Sequence, residues 1–186
     1  MAESALVVKI GGGLLREGGI AALRAACVEV AALPGRVVVV PGGGPFADAV
    51  RAVDGLPEAV AHRLAIAAMD QFGAVLGHLA PGLDIVAAVD AFAGRADIPE
   101  SWDVTSDSLA VLHAGAIGAR ATILLKPVDG ILDAWPGGAP IERLTADELA
   151  ALRTAAVDRY LAEAVRRTGV PVTVRAPGGT GTRIAA

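Results

Sequence analysis

The sequence contains two lysines, and each stands at the end of an apolar segment with the length of a β-strand. Lys9 lies in ALVVKIGGG, just before Gly11–Gly13, and Lys126 lies in ATILLKPVDG, directly before Pro127. The other cationic side chains at neutral pH are arginines. A lysine ammonium is a compact, mobile point charge, which suits a phosphoryl group during its transfer. The positions of the lysines therefore indicate phosphoryl chemistry at two strand ends, with chance placement as the alternative for so few residues.

Two glycine triplets lie between a predicted strand and a predicted helix. Gly11–Gly13 follow the first apolar segment, and Gly42–Gly44 follow the valine segment VVVV. Glycine lets backbone N–H groups approach an anion closely, and a helix N-terminus adds the positive end of its dipole. A plain strand-to-helix turn needs a single glycine, so two triplets favour two anion-binding loops.

Two common phosphate-binding fingerprints do not describe these loops. The pattern GxxxxGK[ST] is absent, which excludes a Walker P-loop. Gly42, Gly44 and Ala47 match the relaxed GxGxxA pattern of a dinucleotide site. However, such a site needs an acidic residue about 20 positions later, and His62 and Arg63 stand there instead. A dinucleotide site is therefore the weaker alternative.

A polar segment, WDVTSDS, precedes a predicted helix. Thr105, Ser106 or Asp107 can cap that helix, with an acidic residue in its first turn. Asp107 can instead hold a lysine ammonium or bind a magnesium ion carried by a nucleotide. The sequence leaves both interpretations open.

Composition restricts the class of protein. The 186 residues fit one domain. Hydrophobic residues make up 54% and aromatic residues 3%, so alanine, valine and leucine must form the core, as in a parallel sheet covered by alanine-rich helices. A net charge of -4 without a basic run argues against a nucleic-acid surface.

The remaining composition argues against a membrane span and against a metal site. The most apolar helical segment, 59–80, is interrupted by charged and polar residues, and no signal-peptide pattern opens the chain. We therefore expect a cytoplasmic protein without membrane contact. No pair of the three histidines has metal-ligand spacing, and Cys27 has no second cysteine to pair with.

Strand-like and helix-like segments alternate along the chain, which is typical of βαβ units. The pattern predicts strands at 6–10, 37–40, 85–89, 122–125 and 170–174. It predicts helices at 20–33, 46–53, 57–79, 105–117, 146–152 and 158–168, an irregular segment at 91–104 and a surface loop at 135–140.

Four segments in order resemble the amino acid kinase family, which has the carbamate-kinase-like fold. They are ALVVKIGGGLL, VVVVPGGGPFAD, VTSDSLAVLHAGAIGARATILLKPVDGIL and the closing GTRI. The resemblance extends over most of the chain. It implies one α/β domain, a three-layer αβα sandwich around a mostly parallel central sheet. It also implies an ATP-dependent phosphotransferase that acts on a small phosphorylated acceptor, such as the furan phosphate of a methanofuran-type cofactor pathway.

The same resemblance implies the roles of particular residues. Lys9 would contact the transferring phosphoryl group, Asp107 would orient the lysines, and Lys126 would be a second positive clamp. As a strand-end residue, Lys9 is expected to be partly solvated. The implied nucleotide-binding residues are Gly11, Gly12, Gly13, Asp129 and Gly130. The implied acceptor-binding residues are Gly42, Gly43, Gly44, Pro45, Arg51, Thr105 and Ser106.

The resemblance further implies ATP as the phosphoryl donor, with Mg²⁺ carried by the nucleotide, and a homo-oligomer of two or more chains. Compared with the family, the chain is short after residues 172–175 and contains no lysine after Lys126. The nucleotide-binding part near the C-terminus is therefore predicted to be shortened. The alternative to a kinase is a degenerate, non-catalytic protein with this fold that binds an anion or a partner subunit.

Overall fold

A computed structural model describes residues 4–134, 138–152 and 154–186. Within these residues the strands form one seven-stranded sheet. The strands are β1 (Leu6–Ile10), β2 (Val37–Pro41), β3 (Asp84–Ile85), β4 (Ala121–Leu125), β5 (Arg143–Thr145), β6 (Val172–Arg175) and β7 (Thr182–Ala185).

Helices connect most of these strands. They are α1 (Gly13–Ala31), α2 (Gly44–Arg51), α3 (Glu58–Leu79), α4 (Ala88–Phe92), α5 (Ser106–Ala116), α6 (Ala146–Ala151) and α7 (Leu161–Thr168). In the described part of the chain no helix is both long and apolar enough to span a membrane.

The sheet has the strand order β3-β2-β1-β4-β6-β7-β5. Only β6 and β7 pair antiparallel, and every other neighbouring pair of described strands is parallel. In the centre, Lys9 on β1 is in register with Val40 on β2 and with Leu124 on β4. Three loops therefore leave the same edge of the sheet side by side, because parallel strands end at one edge.

Helices cover both faces of the sheet, so the predicted three-layer α/β sandwich is confirmed. On one face, Leu23 and Cys27 of α1 pack with Val8 of β1 and Phe72 of α3. On the other face, the apolar side chains of α5 and α7 pack with those of β1, β2 and β4. Alternate residues of β1 enter opposite cores, as the period of two residues in a strand requires.

Several predicted bounds are wrong. Helical structure begins at Gly13 rather than at residue 20, and Gly19, with φ of 64° and ψ of −163°, interrupts it, so that helical segments lie on both sides of a kink at this residue. The strand predicted at 85–89 stops at Ile85, and the helix α4 follows at Ala88. The last predicted helix starts at Leu161 instead of residue 158.

Other local predictions are confirmed. Thr145 and Glu148 form the predicted capping box at the start of α6, because each side chain bonds to the other residue's backbone amide. The closing GTRI segment is the strand β7. The strand β5 was not predicted. The surface loop predicted at 135–140 lies partly outside the described residues, which omit 135–137.

Candidate active site

The two lysines meet on one carboxylate. Lys9 Nζ lies 2.8 Å from Asp107 Oδ1, and Lys126 Nζ lies 2.6 Å from Asp107 Oδ2. β1 and β4 are parallel neighbours, and Asp107 stands in the first turn of α5, directly above their ends. We call Lys9, Asp107 and Lys126 the lysine triad.

The lysine triad is buried. Lys9 is 5% exposed and Asp107 is 3% exposed, so the expectation that Lys9 is partly solvated is wrong. Burial, followed by the nearby charge of Lys126, lowers the pKa of Lys9. Burial alone would raise the pKa of Asp107, but the attraction of Lys126 and of Lys9 outweighs it and holds that pKa well below its usual range. One carboxylate balances one of two ammonium groups, which leaves the triad suited to an additional anion.

A second carboxylate, Asp158, supports the start of α5. Asp158 Oδ2 accepts hydrogen bonds from the amide of Thr105 at 2.8 Å, its hydroxyl at 2.9 Å and the amide of Ser108 at 3.0 Å. The hydroxyl of Ser108 donates to the other oxygen. Burial and the neighbouring Asp107 raise the pKa of Asp158 to about 6. Asp158 fixes the turn that carries Asp107, and sequence reasoning missed it because its partners are about 50 positions away.

The two glycine loops touch each other. A Cβ atom on Gly12 would lie 2.1 Å from the Cα of Gly44, so the second loop leaves no space for a side chain at position 12. Gly44 also has a φ of 53°, which glycine adopts without strain. Close packing is thus a structural reason for these glycines, beside the predicted anion binding.

The amides of the loops divide into two groups. The amide of Gly11 donates to Leu125 O and that of Gly42 donates to Ile10 O, so both belong to the edge of the sheet. Gly13 and Gly44 begin helices, and first-turn amides have no acceptor within their helix. The amide of Leu14 donates to Gly11 O and Pro45 has no N–H, so the amides of Gly13 and Gly44 are the ones available to an anion.

Two cavities open at this edge of the sheet. The glycine-loop cavity, of about 170 Å³, is lined by Gly12, Gly13, Gly43 and Gly44 and by side chains of α1, α2, α3 and α5. The lysine cavity, of about 280 Å³, is lined by Lys9, Gly11, Lys126 and their neighbours. Gly13 and Arg16 line both, so the two cavities adjoin at that point.

Charged side chains surround the glycine-loop cavity. Asp48 accepts a hydrogen bond from Arg16 and another, of 3.1 Å, from Arg51. The guanidinium of Arg51 also lies 4.3 Å from the centre of the Trp102 ring, a cation–π contact. Sequence reasoning identified Arg51 but missed Arg16 and Asp48, which reach the cavity from different helices.

Of the other predicted site residues, some line the glycine-loop cavity and others do not. Thr105 and Ser106 line the glycine-loop cavity, whereas Pro45 is exposed in the first turn of α2 and does not line it. Asp129 and Gly130 line neither of these two cavities. Asp129 accepts a hydrogen bond from the amide of Ala176, and Gly130, with φ of 108°, packs against Thr182 beside the β6–β7 hairpin.

A family comparison accounts for this arrangement. The model of the "Amino acid kinase family" matches residues 4–89 and 76–176, which is most of the chain. The chain belongs to the amino acid kinase family. The family resemblance is thereby confirmed, and the matched residues include both glycine loops and both lysines.

The chain is also similar to a curated kinase. A curated relative from Methanocaldococcus jannaschii, named [5-(aminomethyl)furan-3-yl]methyl phosphate kinase, is 30% identical over 141 residues. That match spans 63% of this chain and 63% of the relative, which is less than two thirds of its length.

Solved structures show the same fold. A uridylate kinase from Archaeoglobus fulgidus superposes with a TM-score of 0.71 at 22% identity, over 97% of this chain and 99% of that one. An aspartate kinase from Synechocystis superposes with a TM-score of 0.73 at 18% identity, over 98% of this chain and 40% of that one.

Proposed function

We propose that the protein transfers the γ-phosphoryl group of ATP to a small phosphate monoester and forms a diphosphate. The observation that carries this proposal is the meeting of the two cavities at Gly13 and Arg16, beside the buried lysine triad. One anion in each cavity would bring a donor and an acceptor together at this junction.

The reaction needs few chemical groups from the protein. An oxygen of the acceptor phosphate attacks the γ-phosphorus, the bond from that phosphorus to the β–γ bridging oxygen breaks, and ADP leaves. Two anions must be aligned and their charge neutralised, which is a matter of positioning and electrostatics. The buried ammonium groups of Lys9 and Lys126 supply positive charge at fixed positions, and Asp107 holds both in place.

The lysine cavity is the proposed site of the ATP phosphates, and the glycine-loop cavity is that of the acceptor. Among the described residues there is no group of three or more histidine, cysteine or acidic side chains that would hold a metal ion. A Mg²⁺ ion carried by the nucleotide agrees with the residues present, since the lysine cavity is lined by Lys9, Lys126 and Arg16 with Glu17 as its carboxylate. A cytoplasmic location and a homo-oligomer, which the family resemblance implies, belong to the same proposal.

For the acceptor we propose [5-(aminomethyl)furan-3-yl]methyl phosphate, the compound in the name of the relative from M. jannaschii. The glycine-loop cavity, at about 170 Å³, is smaller than the range of roughly 300–1,000 Å³ that is common for ligand pockets. This size favours a small acceptor over a nucleotide.

Phosphorus-31 NMR tests the proposal. The protein is incubated with ATP, Mg²⁺ and either the furan phosphate or uridine 5′-monophosphate, and the spectra are followed for ADP and a new diphosphate. We expect a diphosphate from the furan ester and little from the uridine nucleotide. Failure to form ADP with either acceptor, together with no calorimetric binding of a non-hydrolysable ATP analogue, would favour the non-catalytic alternative.

A further inference from the structure

The glycine-loop cavity is lined by two chemically different sets of groups. One set is polar and comprises the glycine loops and the side chains of Arg16, Arg51 and Asp48, whose carboxylate pairs with both guanidinium groups. The other set is apolar and includes Ile66, Met69 and Leu109. The glycine amides and guanidinium groups suit an anion, and the apolar side chains suit the body of the ligand that carries it.

One polar side chain, His62, lines the cavity from α3, the helix that also supplies Ile66 and Met69. It is 3% exposed, and neither ring nitrogen has a hydrogen-bond partner among the described residues. The backbone of Val104 lies near the ring but without hydrogen-bond geometry. Buried polar atoms in folded proteins nearly always have a partner, so an unpaired imidazole at a cavity wall points to a ligand.

The surroundings of His62 define the chemistry of that ligand. Burial lowers the pKa of the imidazole, so at neutral pH the ring is uncharged and offers one acceptor nitrogen and one donor. The nearby carboxylates of Glu100 and Glu58 act against burial, because their negative charge raises the pKa of His62. Glu100 also pairs with Arg63, and Glu58 accepts a hydrogen bond from the Trp102 amide. A neutral imidazole with carboxylates nearby favours a hydrogen-bond donor, and a primary ammonium group above all.

We infer that His62 determines specificity by accepting a hydrogen bond from a group of the acceptor other than its phosphate. The ligand class is a small phosphate monoester with an apolar body and a hydrogen-bond donor, such as an amine. This inference rests on the proposed function, because it assumes that the phosphate binds at the glycine loops. The sequence around His62 does not indicate this role, since His62 is one of three histidines that lie far apart in predicted helices.

Calorimetric binding without ATP tests the inference. The two probes are [5-(aminomethyl)furan-3-yl]methyl phosphate and furan-3-ylmethyl phosphate, which lacks the amine. We expect the wild-type protein to bind the amine ester at least tenfold more tightly, as one hydrogen bond to a charged group provides. In His62→Leu this preference should fall to about twofold or less, while the affinity for the amine-free ester stays within about threefold. His62→Asn, which retains a hydrogen-bonding side chain, should recover part of the preference.

Stability gives a second measurement that does not depend on activity. His62→Leu replaces an unpaired buried polar group with an apolar one, so its urea midpoint should equal or exceed that of the wild type. His78→Leu, an exposed histidine on the same helix, is the matched control and should retain the amine preference.

Four outcomes would overturn the inference. A marked loss of stability in His62→Leu would show that the imidazole has a structural partner. Equal binding of the two esters by the wild type, or an unchanged preference in His62→Leu, would refute the role of His62 and leave the proposed function standing. If the wild type binds neither ester but still binds a non-hydrolysable ATP analogue, the proposed acceptor is wrong and the inference is wrong with it.

Discussion

Replacing Asp107 should mainly reduce stability, whereas replacing its partner Lys9 should mainly reduce activity. In Asp107→Asn, both ammonium groups lose their counter-charge. Lys9→Met removes one ammonium group, because methionine has a volume similar to that of lysine but no charge. The pair between Lys126 and Asp107, at 2.6 Å, remains. The structure therefore predicts that Asp107→Asn damages the fold and that Lys9→Met mainly damages catalysis.

The magnitudes follow from the distances. At an effective dielectric constant of about 20, a charge pair at the 2.8 Å and 2.6 Å separations found here has a gross attraction of about 6 kcal/mol. Asp107→Asn removes two such attractions, and leaving buried charges unpaired has a net cost of about 3–5 kcal/mol. Lys9→Met removes one attraction but also relieves the repulsion from Lys126 and the burial of an excess charge. We expect a net loss of about 1–2 kcal/mol.

Urea unfolding followed by tryptophan fluorescence measures these differences. With a slope of about 2 kcal/mol/M for a domain of this size, a gap of about 2 kcal/mol between the variants separates their midpoints by about 1 M. Arg143→Met, which removes an exposed cation from β5, is the control for loss of charge and should shift stability by less than about 0.5 kcal/mol.

Activity is measured as release of ADP in the presence of the acceptor. Lys9→Met should lower kcat by about 100-fold or more, the size of effect typical of a fixed group that stabilises transition-state charge. The reasoning is refuted if Lys9→Met lowers the urea midpoint as much as Asp107→Asn, or if its kcat stays within tenfold of the wild type.

Three further predictions concern the support of the site. Gly12→Ala places a Cβ atom 2.1 Å from the Cα of Gly44 and should destabilise the protein by about 3 kcal/mol. In the control Gly77→Ala, the nearest atom to the new Cβ lies at 3.7 Å, so this variant should be slightly stabilised. Equal urea midpoints of the two variants would contradict the contact between the loops. The folded pKa of Asp158, about 6, lies above its unfolded value of 3.8, so the folded state binds more protons between these values. Relative to Asp158→Asn, the wild type should lose stability as pH rises from about 4 to 6, and a rise would show that the pKa is not elevated. Thr145→Ala removes the capping box of α6 and should lower the thermal midpoint by a few degrees. Thr145 lines neither the glycine-loop cavity nor the lysine cavity, so kcat should be unchanged, and a lowered kcat would contradict this.

The sequence identified the parts of the site that depend on local pattern. The ends of β1 and β4 are visible as apolar segments that stop at turns, and parallel pairing then brings Lys9 and Lys126 to one edge. Asp107 could be placed at a helix start from its hydroxyl-rich neighbours. Each of these predictions needed only short segments and the rule that parallel strands end together.

The parts that were missed depend on contacts between distant segments. From the sequence, Asp158 was predicted to start a helix. In the structure its carboxylate accepts hydrogen bonds from Thr105 and Ser108. His62 has no unusual neighbour in sequence, and its importance comes from a cavity between helices. Arg16 lies in a segment interrupted by Gly18 and Gly19, which concealed the early start of the helix that carries it.

The contact between Gly12 and Gly44 also bears on how the proposed acceptor site changes in evolution. Because the backbones of the two glycine loops press directly against each other, Gly12 cannot become a larger residue without moving Gly44. Under the proposed function, a new acceptor is accommodated more easily through the part of the cavity formed by α3, where Ile66 and Met69 lie about one helical turn apart and can be exchanged singly. A library confined to that helix face is the economical route to a kinase with a different small-molecule preference.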